Sequence, residues 1–555
     1  MKLNVLLGIF VLSSVFTLSC ANLNAQKKTP QKNTSGYTIK GQVRGIADCP
    51  VYLANYYGNK LYYNDTTACD KNGRFQFPGK PFDEQGKYAL VIPGPKYFDF
   101  IIGSEDIDFD TDTLDLIGHL KFNKSEENKA FYDYVRFINS KRVERQPHDM
   151  LLADTLLTDE QKEPSIKKVK ELNDQVINYQ KKLVADHGNL LVGKFVKMSM
   201  ELEIPSAPEG VDEAMWKYRW YINNYWTMSD LSDNRMVRDQ AFHTMLDRYI
   251  NKVIPQIPDT IAKKASELID GVADQPDLFK YMVHFVTYNG LTSKLMCMDK
   301  VFVHMVDKYY KTGKAVWMDE EKLKELVDDA NNRRRVMCDA KIPNVILPDT
   351  SDVNWVSLYD VDAKYTVVAI WESTCGHCKK ELPKLLKVYD EWKDRGLEVY
   401  SIGNDYERAP WKKFLREKGL TEWINVSDDP AIGNENPDTV RYLLSRGITT
   451  IESLNFRQTF NISSTPVLFL LDKDKNIIAK QLNSQQISDL LEHLENKNGE
   501  GSIDGMMVKD PDDEDDDEQH EETPKEKSKG AAKSDHKSAT EGKKTKPDKS
   551  KSKPN

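Results

Sequence analysis

The chain has no apolar run long enough to cross a bilayer, although it is 555 residues long. Its sustained apolar stretch, from Leu3 to Phe16, is shorter than the roughly 20 residues that a membrane helix needs. Lys2 precedes this stretch and small polar residues follow it, which is the layout of a secretory signal. We therefore predict that residues 1–25 are an export signal rather than a membrane span.

Two cleavage sites are open within this signal. Thr17-Leu18-Ser19-Cys20 resembles a lipobox, in which Cys20 would become the lipidated first residue of a lipoprotein that contacts the membrane. The small residue Ala25, just before Gln26, would instead suit an ordinary cut and a soluble periplasmic protein. Either outcome places the mature chain in the cell envelope, facing the periplasm, where disulfide chemistry is normal.

An excess of positive charge is also lacking, because 87 Asp and Glu residues outnumber 78 Lys and Arg and give a formal net charge of −9. A general nucleic-acid binder needs a basic surface to displace counterions, so we expect no nucleic-acid partner. Apolar residues are scarce in residues 498–555, where an acidic block, Asp510–Glu522, is followed by a Lys-rich block. Such a segment cannot bury enough apolar surface to offset chain entropy. It is predicted to be a disordered charged tail.

Residues 35–118 show the pattern of short β-strands. Apolar and polar residues alternate from Tyr37 to Val43, and Asp70–Gly73 supplies a turn between two further strands. Short strands separated by turns predict a small β-sandwich. In strand spacing and in its Asp-x-x-Gly-x-Phe-x-Phe turn, this stretch resembles the β-rich domain of unknown function that precedes thioredoxin-like domains in many bacterial envelope proteins.

The period of the pattern changes in residues 122–338. Apolar residues recur every three or four positions from Ile166 to Leu183 and stop before Gly188, which predicts an amphipathic helix that ends at a glycine. Similar runs follow, so this segment is predicted to be an α-helical middle domain. Residues 340–497 alternate strands with helices, which predicts a C-terminal α/β domain with a central sheet.

Two cysteines in this last domain have the spacing and the setting of a redox pair. Cys375 and Cys378 directly follow the apolar strand Tyr365–Trp371 and open a helix. The free N–H groups and the dipole at a helix N-terminus favour an anion, and the thiolate is the nucleophile in disulfide exchange. Cys375 is thus predicted to attack a disulfide, and Cys378, one turn further on, to resolve the adduct.

His377 stands between the two cysteines and is a candidate catalytic residue. A protonated or hydrogen-bonding histidine would stabilise the thiolate and make the disulfide more oxidising. The alternative use of a Cys-x-x-Cys pair is a closed zinc site, which needs two further ligands. The neighbouring sequence lacks them, so we predict neither a metal nor another cofactor.

The segment Trp371–Pro383, WESTCGHCKKELP, resembles the TlpA- and ResA-type thioredoxin-like oxidoreductases of the bacterial envelope. The resemblance implies a thioredoxin-like fold and a catalytic role for Glu381, as proton acceptor for Cys378. It also implies that Thr465-Pro466 is the cis-proline loop opposite the cysteines. Trp371, Thr465 and Pro466 would then be the substrate-binding residues.

The function implied is disulfide exchange with cysteines of exported proteins, as reductase, oxidase or isomerase, together with an envelope redox partner. Two alternatives stay open: an envelope-anchored partner-binding protein with an auxiliary redox domain, and a thiol peroxidase of the same fold. Four further cysteines, Cys49, Cys69, Cys297 and Cys338, lie outside the motif. They could pair within the β and helical segments or remain buried thiols, since sequence does not fix their connectivity.

Overall fold

Strands and helices fall into three successive groups along the chain, as the sequence predicts. The computed structural model describes residues 37–94, 96–405, 407–428 and 436–496. The predicted export signal with Cys20 and the predicted charged tail lie outside these residues. Within the part that is described, no helix combines the length and the apolarity that a membrane span requires.

The N-terminal group is a β domain of two four-stranded sheets. One sheet has the order β4-β1-β7-β8, in which β1 and β7 are parallel, and the other has the order β3-β2-β5-β6. The strands are β1 (Thr38–Arg44), β2 (Pro50–Tyr57), β3 (Lys60–Ala68), β4 (Arg74–Pro78), β5 (Gly86–Ile92), β6 (Lys96–Ile102), β7 (Ile107–Asp112) and β8 (Lys121–Lys124).

The two sheets share one apolar core, because alternate residues of each strand point inward. Phe75 and Phe109 of the first sheet and Phe98 of the second belong to this core, and Phe98 and Phe109 meet edge to face at 5.4 Å. The predicted turn before β4 is confirmed. Gly73 has a φ of +72°, and a side chain there would collide with the carbonyl oxygen of Val43.

The middle group is helical, as predicted, but it starts later than residue 122. Strand β8 pairs with β7, so the β domain continues past its predicted limit at residue 118. The helices are α1 (Glu126–Ala153), α2 (Asp159–His187), α3 (Leu191–Ser199), α4 (Glu213–Asn224), α5 (Gln240–Arg248), α6 (Pro258–Asp270), α7 (Pro276–Thr292), α8 (Asp299–Met305) and α9 (Glu320–Arg334).

The ends of these helices follow from the sequence. A capping box of Thr158 and Gln161 begins α2, and Gly188 follows its last residue. The helical domain is joined to the β domain by hydrogen bonds to backbone groups. The Asn128 side chain accepts from the N–H of Ile101 and donates to its carbonyl oxygen, both at 2.7 Å. This contact pairs the backbone of Ile101 in β6, which is the last strand of its sheet within the described residues.

The C-terminal group is an α/β domain around a five-stranded sheet of order β13-β12-β11-β14-β15, with a separate β9-β10 hairpin. Strands β11, β12 and β13 are parallel to one another, β14 is antiparallel to β11, and β15 is antiparallel to β14. The elements are β9 (Ile346–Pro348), β10 (Trp355–Ser357), β11 (Tyr365–Trp371), α10 (Gly376–Trp392), β12 (Leu397–Gly403), α11 (Arg408–Lys418), β13 (Ile424–Ser427), α12 (Pro437–Ser445), α13 (Ile451–Leu454), α14 (Phe456–Thr459), β14 (Val467–Leu471), β15 (Ile477–Lys480) and α15 (Ser484–Asn496).

A disulfide lies where the helical domain meets the α/β domain. Cys297 and Cys338 are bonded, and both pack into the apolar core of the α/β domain. Beside them Lys480 of β15 pairs with Asp299 of α8, and both side chains are buried. Replacing either residue of a buried ion pair destabilises the fold, because the remaining charge would be left buried and unpaired.

A buried carboxylate, Glu127, joins the starts of two helices near the β domain. It lies in the first turn of α1, and its carboxylate accepts from the N–H of Val192 in the first turn of α3, at 2.5 Å. Burial raises the pKa of Glu127 to about 7, and the nearby Glu105 carboxylate adds to the rise. The folded protein therefore holds a proton at this site at pH values where the unfolded chain has released it.

We predict that the Glu127→Gln variant loses less stability than the wild type as pH rises from about 5 to 8. In the wild type the folded state binds more protons across this window, so its free energy of unfolding falls with pH, by up to about 3 kcal/mol. Glutamine keeps an acceptor for Val192 and does not titrate. Urea unfolding across the pH range measures the difference.

The matched control is Glu163→Gln, which changes an exposed carboxylate of α2. It should follow the wild-type pH dependence. Equal slopes for Glu127→Gln and the wild type would contradict the assignment.

Candidate redox site

The loop between β11 and α10 is fixed before it reaches the cysteines. The Trp371 carbonyl accepts from the N–H of Asn404, at 2.7 Å. Asp405, which is buried, accepts from the N–H of Ser373 at 3.0 Å and from its hydroxyl. Because β11 and β12 are parallel neighbours, both contacts lie at the carboxyl edge of the sheet, where ligands of such sheets usually bind.

Cys375 is the N-cap of α10. Its sulfur accepts from the N–H of Cys378 at 3.5 Å, and its thiol donates to the carbonyl oxygen of Thr465 at 3.3 Å. Partial burial raises the pKa of the Cys375 thiol, but hydrogen bonds from the Cys378 backbone and side chain, from the Thr465 side chain and from the His377 backbone outweigh it. The net pKa lies below the ordinary value. The predicted stabilisation of a thiolate at this helix start agrees with the geometry.

Cys378 has the opposite environment. Its side chain is fully buried in the first turn of α10. Burial raises the pKa of the Cys378 thiol to about 12. Both cysteines of the motif are free thiols in this structure. One sulfur is thus partly accessible and favours the thiolate, whereas the other is sheltered and stays protonated.

Thr465-Pro466 lies opposite the cysteines and its peptide bond is cis, as the sequence predicts. Both residues are half-buried and directly precede β14, which pairs with β11. The hydrogen bond from Cys375 to the Thr465 carbonyl oxygen brings this loop against the accessible sulfur. An extended peptide segment that binds along this loop would therefore meet Cys375 before Cys378.

His377 and Trp371 differ in how closely they match their predicted roles. The His377 side chain is exposed, so it can face an incoming partner, and its backbone N–H supports the Cys375 thiolate. Trp371 is fully buried and donates its indole N–H to Ser401 at 2.8 Å. Its prediction as a substrate-binding residue is wrong for this structure, because β11 is the central strand and is covered on both faces.

Glu381 faces a helix start rather than the thiols. Its carboxylate accepts from the N–H of Ser484 at 2.5 Å and from the Ser484 hydroxyl at 2.6 Å. Ser484 is the first residue of α15, so Glu381 ties α10 to α15. Among the hydrogen bonds of the described residues, none joins Glu381 to Cys375 or Cys378. No direct contact among the described residues therefore supports the predicted proton transfer from Cys378 to Glu381.

Two residues of the site escape prediction from the sequence. Asp405 holds the loop before Cys375, and burial raises the pKa of its carboxyl group. A signal was available for it, since a carboxylate soon after a buried parallel strand lies at the edge where sites form. Ser484 gave no comparable signal, because its partner Glu381 is 103 residues away in sequence.

Two segments of the chain match known protein families. Residues 338–480 match the AhpC/TSA family, and residues 37–131 match a domain of unknown function, DUF4369. The first segment contains the redox site and the second contains the β domain. The predicted likeness of both domains is confirmed.

Individual proteins are similar to parts of the chain. The chain is 20% identical over 164 residues to the thiol-disulfide oxidoreductase ResA of Bacillus cereus, across 30% of this chain and 80% of the relative. Among solved structures, a domain of a possible thiol-disulfide isomerase from Cytophaga hutchinsonii is 34% identical and has a TM-score of 0.24; the match covers 29% of this chain and 95% of that one. A thioredoxin-like protein from Bacteroides caccae is 18% identical and has a TM-score of 0.38. This match covers 53% of this chain and 99% of that one.

We predict that Glu381→Ala lowers the free energy of unfolding by about 1 kcal/mol, the usual cost of losing a helix cap. Glu381→Gln should keep most of that stability, because its amide oxygen can still accept from Ser484. Both folded variants should exchange disulfides at the wild-type rate. Denaturant unfolding and insulin reduction measure the two properties.

The glutamine variant separates the two roles of this residue. If Glu381→Gln is as stable as the wild type and yet exchanges disulfides slowly, the carboxylate acts on the thiols and the capping account is wrong.

Proposed function

Residues 338–480 belong to the AhpC/TSA family of thioredoxin-fold proteins, and from this membership we propose that the chain is a thiol-disulfide oxidoreductase of the cell envelope. Its substrates are cysteines of exported proteins. The observation that carries the proposal is the pairing of a thiolate-favouring Cys375 at a helix start with the buried Cys378 one turn away. The ResA relative supports it by name.

In the reducing direction the Cys375 thiolate attacks one sulfur of a substrate disulfide. A bond forms between that sulfur and Cys375, and the other substrate sulfur leaves as a thiolate. Cys378 then gives up its proton and attacks Cys375, which releases the second substrate sulfur. The pair ends as a disulfide, and the substrate has gained two electrons and two protons. The oxidising direction is the reverse of these steps.

The high pKa of Cys378 suits the resolving role. While the pair is reduced, a buried protonated thiol does not compete with Cys375 for the incoming disulfide. Once the mixed disulfide forms, the substrate thiolate that Cys375 has displaced can take the proton. In this scheme His377 is exposed beside the reacting sulfurs, and Thr465-Pro466 positions the substrate segment through backbone contacts.

The envelope location rests on the predicted export signal. With Cys20 lipidated, the chain would be anchored to the membrane and face the periplasm. There an envelope redox partner would return the pair to its working state. Stabilisation of the Cys375 thiolate stabilises the reduced form and makes the disulfide more oxidising, but the partner that reloads the pair determines the direction.

We predict that the Cys378→Ala variant accumulates mixed disulfides with exported proteins, because Cys375 can attack and nothing resolves the adduct. Non-reducing electrophoresis of cell-envelope extracts, followed by mass spectrometry of the trapped species, measures this. The matched control is Cys375→Ser/Cys378→Ala, which should trap nothing.

An insulin-reduction assay separates this function from the alternatives. The wild type should reduce insulin and Cys375→Ser should not. Equal turbidity curves for the two would contradict the oxidoreductase and favour a partner-binding protein with an auxiliary redox domain. Peroxide consumption that survives Cys378→Ala, with no insulin reduction by the wild type, would favour a thiol peroxidase.

A further inference from the structure

A second pair of thiols lies in the β domain, apart from the Cys375-Gly376-His377-Cys378 (CGHC) site. Cys49 immediately precedes β2 and Cys69 immediately follows β3, and the two strands form an antiparallel hairpin. The ladder pairs Pro50 with Ala68, so the next pair outward is Cys49 with Cys69. The N–H of Cys69 donates to the Cys49 carbonyl oxygen at 2.9 Å, which extends the ladder to the cysteines.

The two sulfurs already touch. Their Sγ atoms are 3.3 Å apart, and the N–H of Cys49 donates to the Cys69 sulfur at 3.4 Å. Opposite residues of an antiparallel ladder have Cα atoms about 4.5 to 5.5 Å apart, which falls within the range that disulfides span. Bond formation therefore requires only that the sulfurs close to about 2.05 Å, with no rearrangement of the hairpin.

The pair is also asymmetric in access. Cys49 is half-buried, whereas Cys69 is only 4% exposed and packs into the core between the two sheets. An external disulfide can therefore reach Cys49 but not Cys69. This is the same division between an accessible and a sheltered sulfur that Cys375 and Cys378 show, but without a helix N-terminus.

We propose that Cys49 and Cys69 form a second thiol–disulfide couple, which an external disulfide closes. Cys49 loses its proton and attacks one sulfur of that disulfide, and the other sulfur leaves as a thiolate that takes up a proton. Cys69 then attacks Cys49 in the mixed disulfide and releases the remaining sulfur with its proton. The external disulfide gains two electrons and two protons, and the hairpin ends are covalently joined.

The two couples should differ in how easily they are reduced. Burial, together with the neighbouring Cys69, raises the pKa of Cys49 to about 11, whereas the pKa of Cys375 is lowered. A couple whose thiolate is stabilised is the more oxidising. The Cys49–Cys69 disulfide should therefore persist in redox buffers that already reduce Cys375–Cys378, and it should form slowly at neutral pH.

The test uses the full chain with Cys375→Ser/Cys378→Ala, so that the CGHC pair takes no part. This variant is reduced, equilibrated with mixtures of glutathione and glutathione disulfide, quenched by alkylation and mapped by mass spectrometry. We expect a peptide that joins Cys49 to Cys69 and the loss of both alkylatable thiols. Full alkylation of both cysteines in excess glutathione disulfide, or a glutathione adduct that stays on Cys49, would overturn the proposal.

Two further measurements test whether Cys49 is the thiol that reacts first and which of the two couples is reduced more easily. In the same background, Cys69→Ala should accumulate the glutathione adduct on Cys49; a variant without the adduct would show that Cys49 is not the entry thiol. In the wild type, the Cys49–Cys69 bond should need a more reducing buffer than Cys375–Cys378, and the reverse order would contradict the comparison of the couples. Neither readout depends on insulin reduction, so failure here is distinct from failure of the proposed function.

Discussion

The redox site depends on one contact, the hydrogen bond from the N–H of Cys378 to the sulfur of Cys375 at the start of α10. This N–H has no intrahelical partner, as is usual in a first helical turn, and so it is free to stabilise a thiolate. The same helix turn buries Cys378. A single local geometry therefore lowers the pKa of one thiol and raises that of the other.

The rest of the domain keeps this contact in place. Strand β11 is covered on both faces and delivers the chain to the helix start, and the buried Asp405 holds Ser373 by its N–H and its hydroxyl. Glu381 ties α10 to the start of α15. Asp405 does not touch the reacting sulfur but restrains the loop before it, whereas Glu381 contributes to the stability of the domain. The cis loop at Thr465-Pro466 closes the site from the opposite side.

Features that depend on neighbours in sequence could be predicted. The apolar strand, the Cys375–Cys378 spacing and the helix that follows lie within one short segment, and the Thr465-Pro466 loop directly precedes its strand. Contacts between distant segments could not, apart from the Thr465-Pro466 loop, which the family resemblance places opposite the cysteines. Glu381 and Ser484 are 103 residues apart, and only packing shows that they meet. The substrate-binding prediction for Trp371 follows the family resemblance and fails because Trp371 is the buried end of the apolar strand β11. For the remaining cysteines, sequence left the pairing open, and the structure bonds Cys297 to Cys338 but leaves Cys49 and Cys69 as thiols.

The most direct test of the account is a pH titration of the reduced, folded protein, followed by the ultraviolet absorbance of the thiolate and corrected with Cys375→Ser. We expect Cys375 to ionise below the ordinary cysteine pKa of about 8.5 and Cys378 to stay protonated well beyond it. A Cys375 pKa at or above the ordinary value would contradict the claim that the helix start holds this sulfur as the nucleophile.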